Sequence, residues 1–182
     1  TLGFYPYIQK NSSDLKIMSF ADDVRMSYFK SDFLKNTYLH KEQKKISNYL
    51  LAGKNIIASA PTSFGKSLLI EEIVASKKYK NIVIIQPTLA LLDETRLKLK
   101  KYADDYKIIV RTSQPYSEDK RNLFLLTAER VMEYEPLPQI DFLIIDEFYK
   151  LSLRRKDDRA DTLNNAFLKV VNKFHPRFYF LG

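Results

Sequence analysis

Six short apolar runs punctuate the chain. Four of them, Ile82-Val83-Ile84-Ile85, Leu123-Phe124-Leu125-Leu126, Phe142-Leu143-Ile144-Ile145 and Phe178-Tyr179-Phe180-Leu181, show no alternation of apolar and polar positions. A run of that kind suits a strand buried on both faces, as in a parallel sheet. Asn55-Ile56-Ile57-Ala58 and Lys107-Ile108-Ile109-Val110 are weaker versions of the same pattern. Helical spacing fills the gaps. The stretch Leu39 to Leu51 would place Ile46, Tyr49 and Leu50 on one face and end at Gly53. Further helices are expected from Lys66 to about Lys77, from Leu89 to about Tyr102, and from a Thr127 cap through Met132. Leu163, Phe167, Val170, Val171 and Phe174 recur at helical intervals and mark a strongly amphipathic helix. Strands alternating with helices predict an α/β fold: a parallel β-sheet flanked by helices on both faces, joined by right-handed crossovers.

The ends and loops read differently. Residues 1–36 are aromatic and mixed in charge. Asn11-Ser12-Ser13-Asp14 reads as a loop and helix start, and Phe20, Val24 and Tyr28 repeat at four-residue spacing. This segment is expected to be a short accessory helical layer packed on the main domain. The Pro115-containing stretch Thr112 to Asp119 reads as a loop, and the charged stretch Arg154 to Asp161 as a solvated one. There is no internal repeat and no low-complexity segment.

Composition narrows the chemistry. The 182 residues are enough for one domain with a sizeable core. A net charge of +8 fits either a solvated basic surface or an anionic partner, nucleic acid above all. Without cysteine, disulfides, thiolate metal sites and cysteine nucleophiles are excluded. His40 and His175 are too few and too far apart in sequence to suggest zinc. No apolar run approaches the roughly 20 residues of a membrane span, so no membrane partner is expected. The first residues, Thr-Leu-Gly-Phe-Tyr, do not look like a signal peptide and lack a starting methionine. A cytoplasmic, intracellular location and an excised fragment are the expectations.

The chemistry concentrates at Ser59-Ala60-Pro61-Thr62-Ser63-Phe64-Gly65-Lys66-Ser67, between the first expected strand and an apolar helix. Strand, small-residue turn ending Gly-Lys-Ser, then helix is an arrangement for holding a nucleotide triphosphate. Backbone N–H groups and the helix N-terminus would face the phosphates. Lys66 would pair with the β- and γ-phosphates and Ser67 would place its hydroxyl on Mg2+. The plainer alternative is a helix N-cap turn with an exposed lysine. A second group follows the strand ending at Ile145: Asp146-Glu147-Phe148-Tyr149. Ligands bind at the carboxyl ends of strands in such sheets, so Asp146 would hold Mg2+ opposite Ser67. Glu147 would orient or deprotonate the attacking water. The plainer alternative is an acidic pair capping a helix.

Together, Ala60-Pro61-Thr62-Ser63-Phe64-Gly65-Lys66-Ser67 and Asp146-Glu147-Phe148-Tyr149 resemble motifs I and II of the DEAD/DEAH-like helicases of superfamily two. The chain resembles their first RecA-like domain from about residue 37 to its end, with residues 1–36 as the accessory segment. The resemblance implies bound ATP and Mg2+. It gives Lys66, Asp146 and Glu147 catalytic roles, and makes Ser67 and Asp146 the metal residues. The nucleotide would be bound by Ala60, Pro61, Thr62, Ser63, Phe64, Gly65, Lys66 and Ser67. Gln43 corresponds to the glutamine that reads the adenine edge; as an ordinary sequence feature it is an exposed helix glutamine. Pro87-Thr88-Leu89-Ala90-Leu91 resembles motif Ia, and Thr127-Ala128-Glu129-Arg130 resembles motif Ib. Pro87, Thr88, Thr127 and Arg130 would then contact nucleic acid, although both stretches also read as capped helices. Lys98, Lys100 and Lys101 read as solvated residues at the far end of their helix.

The departures are specific. Motif II is Asp-Glu-Phe-Tyr, which argues against a standard RNA helicase of the DEAD-box branch. Tyr149 would have to serve in the link to motif III. That motif and a second RecA-like domain with its arginine finger are expected beyond Gly182. The implied reaction is hydrolysis of ATP to ADP and phosphate, coupled to unwinding or remodelling nucleic acid, DNA being favoured over RNA. Two alternatives stay open: another P-loop NTPase or kinase, for whose lid Arg154 to Arg159 could be mistaken, and a nucleic-acid-binding module that keeps the fold without catalysis.

Overall fold

A computed structural model describes residue 24 and residues 27–59, 64–151 and 158–182. Its elements in chain order are α1 (Lys41–Leu51), β1 (Ile56–Ala58), α2 (Lys66–Ala75), β2 (Asn81–Ile85), α3 (Leu89–Leu99), β3 (Tyr106–Ile109), β4 (Arg121–Leu126), α4 (Ala128–Glu133), β5 (Phe142–Ile145), α5 (Asp158–Phe174) and β6 (Arg177–Leu181). Single 3-10 turns follow α3 (Lys100–Tyr102) and β5 (Phe148–Leu151). The strands form one six-stranded sheet in the order β1-β6-β5-β2-β4-β3, and every pairing is parallel.

The absence of alternation in the apolar runs has the expected cause: both faces of the sheet are covered. Ile82 and Ile84, Leu123 and Leu125, Phe142 and Ile144, and Tyr179 and Leu181 face α1, α2 and α3. Their neighbours Val83, Ile85, Phe124, Leu126, Leu143, Ile145 and Phe180 face α4 and α5. β2 lies between β5 and β4, and all five of its residues are buried. β1 is a three-residue edge strand, which matches its weaker apolar pattern.

Two expectations need correction. The charged loop ends earlier than its composition suggests, because α5 begins at Asp158 rather than near Leu163. Ala160 and Ala166 are buried on its inner face with Leu163 and Val170, so small residues carry the first turns of the apolar stripe. α1 buries Gln43, Lys44, Ser47 and Leu50, whereas Tyr49 is exposed under the Lys54 ammonium. A largely polar face can be buried there because it is bonded to the segment before it and to α2. Lys44 Nζ donates to Lys30 O at 2.9 Å and to Asp32 Oδ2 at 3.1 Å. Ser31 Oγ donates to Glu72 Oε1 on α2 at 3.0 Å. The described part of the N-terminal segment is thus stitched to α1 and α2. The expected features at Asn11–Asp14 and Phe20 lie outside the described residues, as do residues 154–157 of the charged stretch.

Candidate functional site

Four strand ends meet at the carboxyl edge of the sheet. β1 leads into the phosphate turn, β6 delivers Gly182, β5 delivers Asp146 and Glu147, and β2 delivers Gln86. β6 lies between β1 and β5, so the turn and the carboxylates come from strands that are not neighbours. They nevertheless converge on one cavity of about 400 Å³. Gly65, Lys66, Ser67, Gln86, Asp146, Glu147, Tyr149 and Gly182 line it, and Leu91, Glu94, Thr95 and Lys98 of α3 close one side. Lys98 is paired there with Glu94 at 2.6 Å, and Lys101 with Glu71.

The turn enters α2 through Gly65, whose φ of 77° lies in the left-handed region. Gln43 braces it from α1. Only 4% exposed, Gln43 donates through Nε2 to Phe64 O at 2.6 Å, and its Oε1 accepts from His40 N at 2.7 Å. The exposed-glutamine alternative is therefore wrong: capping α1 and gripping the turn draws this side chain inward. Lys66 Nζ donates to Gly182 O at 3.2 Å, and Gly182 N donates to Ala58 O at 2.9 Å. The end of β6 thus sits between the phosphate turn and the carboxylates. Ala60, Pro61, Thr62 and Ser63 lie outside the described residues.

Asp146 is held from several sides. Its N–H continues the sheet by donating to Ile85 O at 3.0 Å. Its Oδ1 accepts from Glu147 N at 3.0 Å, and its Oδ2 accepts from Gln86 Nε2 at 3.3 Å. Glu147 adopts a positive φ of 55°, uncommon for a residue with a Cβ. Burial, reinforced by the negative charge of Asp146, pushes the Tyr179 phenol well above its ordinary range. After the carboxylates, Phe148 and Tyr149 turn back over the end of β6. A Cβ placed on Gly182 would lie 3.3 Å from Phe148 Cδ1 and 3.6 Å from Tyr149 Cδ1.

The remaining candidates lie in loops along the same edge. Thr88 caps α3, its Oγ1 accepting from Leu91 N at 3.3 Å, and Pro87 precedes it at the end of β2. Thr127 caps α4, its Oγ1 accepting from Arg130 N at 3.4 Å. Arg130 Nη1 donates to Val110 O at 2.8 Å, so part of this guanidinium ties α4 to the end of β3. A second cavity of about 730 Å³ opens between these loops and includes Arg96, Arg111 and Arg130.

The sequence that builds this sheet edge is similar to known proteins. The family profile described as DEAD/DEAH box helicase matches residues 40–175. The chain belongs to this family. Its helicase-type ATP-binding domain therefore runs from the residue that caps α1 to the residue after α5. Anti-bacteriophage protein B of Escherichia coli (strain K12) is 35% identical over 190 residues, covering 99% of this chain and 25% of that protein. Putative helicase 7 of a Sulfolobus islandicus filamentous virus (isolate Iceland/Hveragerdi) is 26% identical over 146 residues, covering 72% of this chain and 24% of that protein. The chain spans about a quarter of the length of these relatives. Among the described residues, no helix is long and apolar enough to cross a membrane.

Within this helicase domain, sequence reasoning missed Gln86, Tyr179 and Arg111. Gln86 offered a faint signal as the polar residue that ends the β2 run. Tyr179 offered none, because a tyrosine inside an apolar run reads as core. Arg111 directly follows the β3 run and could have been found by asking which cations sit at strand ends.

Proposed function

We propose that this chain is the ATP-binding half of an ATP-dependent nucleic-acid helicase or translocase, hydrolysing ATP to ADP and phosphate. The supporting observation is the convergence of Lys66, Ser67, Asp146 and Glu147, from two separate strand–turn units, on a single cavity. The phosphates would lie against the turn and the N-terminus of α2, where backbone N–H groups and the helix dipole favour anions. Lys66 would exchange the Gly182 carbonyl for a phosphate oxygen, so nucleotide binding would free the end of β6. Glu147 would orient the attacking water. Gln43 would act on the nucleotide by fixing the turn, with any reading of adenine left to the remainder of its amide.

The cavity suits magnesium. Ser67 and Asp146 offer the hard oxygen donors that this ion takes, and Gln86 Oε1 is a buried acceptor without a partner. When bound, the ion would neutralise charge on the phosphates. Residues 37–182 would form the RecA-like domain and residues 1–36 an accessory segment. A second RecA-like domain would supply the cationic finger that phosphoryl transfer needs. Pro87, Thr88, Thr127 and Arg130 mark the edge along which nucleic acid would lie. The Escherichia coli relative is named for acting against bacteriophage, which favours foreign nucleic acid, DNA ahead of RNA, as the substrate of the whole protein. The presence of all four polar residues in one cavity favours a catalytic site over a non-catalytic binding module.

Lys66→Ala in the whole protein is the direct test. Binding of ATP with magnesium should be lost, together with nucleic-acid-stimulated phosphate release. Unchanged binding in calorimetry would mean that the site is wrongly placed, and transfer of phosphate to a small molecule would favour a kinase.

A further inference from the structure

Asp146 has polar neighbours on both flanking strands, and the family motifs name neither. The β2–β5 register pairs Ile84 with Ile144 and Ile85 with Ile145, so Gln86 stands beside Asp146 at the carboxyl edge. Gln86 is 3% exposed. A carboxylate only accepts hydrogen bonds, so the Gln86 amide must turn its Nε2 towards Asp146, as it does at 3.3 Å. That fixes the other end of the amide. Oε1 is left as a buried acceptor with no hydrogen-bond partner, at the wall of the cavity. On the other side, β6 pairs Tyr179 with Ile144, two residues before Asp146 and on the same face of the sheet. Tyr179 is fully buried and its hydroxyl also lacks a partner.

Two buried polar atoms have no hydrogen-bond partner among the described residues, Gln86 Oε1 beside Asp146 and the Tyr179 hydroxyl from the next strand on the same face, and they call for a ligand that brings hydrogen-bond donors and acceptors with it. Magnesium keeps several of its waters when it binds through one or two carboxylates, and those waters are strong donors. We propose that Gln86 and Tyr179 form a polar cradle that orients Asp146 and holds the hydration shell of the nucleotide's magnesium ion. Gln86 fixes the carboxylate through Nε2 and accepts from the shell through Oε1. Tyr179 supplies a hydroxyl beneath the same carboxylate. Both are positioning residues, and the assignment rests on the cavity being the nucleotide site.

The test is titration of a fluorescent ATP analogue against the whole protein, with magnesium and with the metal chelated. Gln86→Met preserves length and removes both polar atoms. It should lose about tenfold in magnesium-dependent affinity, the effect typical of groups that orient metal ligands. Its affinity without metal should not move, a pattern that a merely structural role would not produce. Tyr179→Phe should weaken the magnesium dependence in the same direction. It should melt no lower than wild type, because it removes a buried hydroxyl that has no partner. If Gln86→Met fails to fold, Tyr179→Phe reads the same quantity. Wild-type magnesium dependence in the folded variants overturns the cradle. Analogue binding that survives Lys66→Ala overturns instead the nucleotide site on which the cradle depends.

Discussion

Gly65 shows how little tolerance the phosphate turn has. Its positive φ disfavours any residue with a Cβ, and a Cβ there would come within 2.5 Å of Gln43 Nε2. Gly65→Ala should destabilise the domain by about 1–2 kcal/mol in denaturant unfolding and weaken nucleotide binding. Part of that loss comes from displaced Gln43, so Gln43→Ala in the same chain should be less than additive with it. Strict additivity would show that the two residues do not share the turn. At this scale Lys66, Ser67 and Asp146 were legible because phosphate and metal chemistry demands those residue types after a strand. Gln86 and Tyr179 were not, since their significance comes from the strands beside them. Gln43 was legible as a motif residue, but its bond to Phe64 depends on how α1 packs against the turn.

The elements carry a second buried polar group, on α2. Glu72 is only 1% exposed, and burial raises its carboxyl above the ordinary value of 4.5, against the bond from Ser31 and the charge of Lys44. A carboxyl raised on folding binds its proton more tightly in the native state. Its contribution to stability is therefore full at low pH and lost as pH rises through the raised value. Relative to Glu72→Gln, the wild-type protein should lose stability as pH rises above the ordinary carboxyl value of 4.5. Urea midpoints of both proteins across that range provide the measurement, and parallel curves would contradict a buried, raised carboxyl. The same network explains why α1 misled a search for apolar periodicity. On its inner face Gln43 and Lys44 are held by hydrogen bonds to Phe64, Lys30 and Asp32, and a period count sees only hydrophobicity. α5 misled it in the opposite way, because alanines carry its first turns.

The whole molecule is basic, and its exposed cations include Arg111 beside the cavity between the α3 and α4 loops. Nucleic acid held there through its backbone should bind less tightly as salt rises, in a linear log–log relation. Arg111→Ala should weaken binding about equally for all sequences and reduce the salt slope by about 1. Fluorescence anisotropy with labelled DNA and RNA at several salt concentrations measures both effects, and salt-insensitive binding would remove the case for a phosphate-tracking edge. Arg130 should contribute through the loop as well as through charge, because one of its nitrogens holds Val110.

The apolar runs were enough to specify a parallel sheet with both faces covered, and the residue types at two strand ends were enough to specify the site's chemistry. Periodicity reports burial, and burial is local to each run. Strand order is different. The runs do not say that β6 enters between β1 and β5, because that choice depends on pairing between segments far apart in sequence. The insertion brings Gly182 to Lys66, across 116 positions, and sets Tyr179 beside Ile144, two residues before Asp146. The candidate groups could thus be named along the chain, and the structure brings Lys66, Ser67, Asp146 and Glu147 to one cavity. What supports them was decided only when distant strands met, because hydrogen bonding and desolvation act through space.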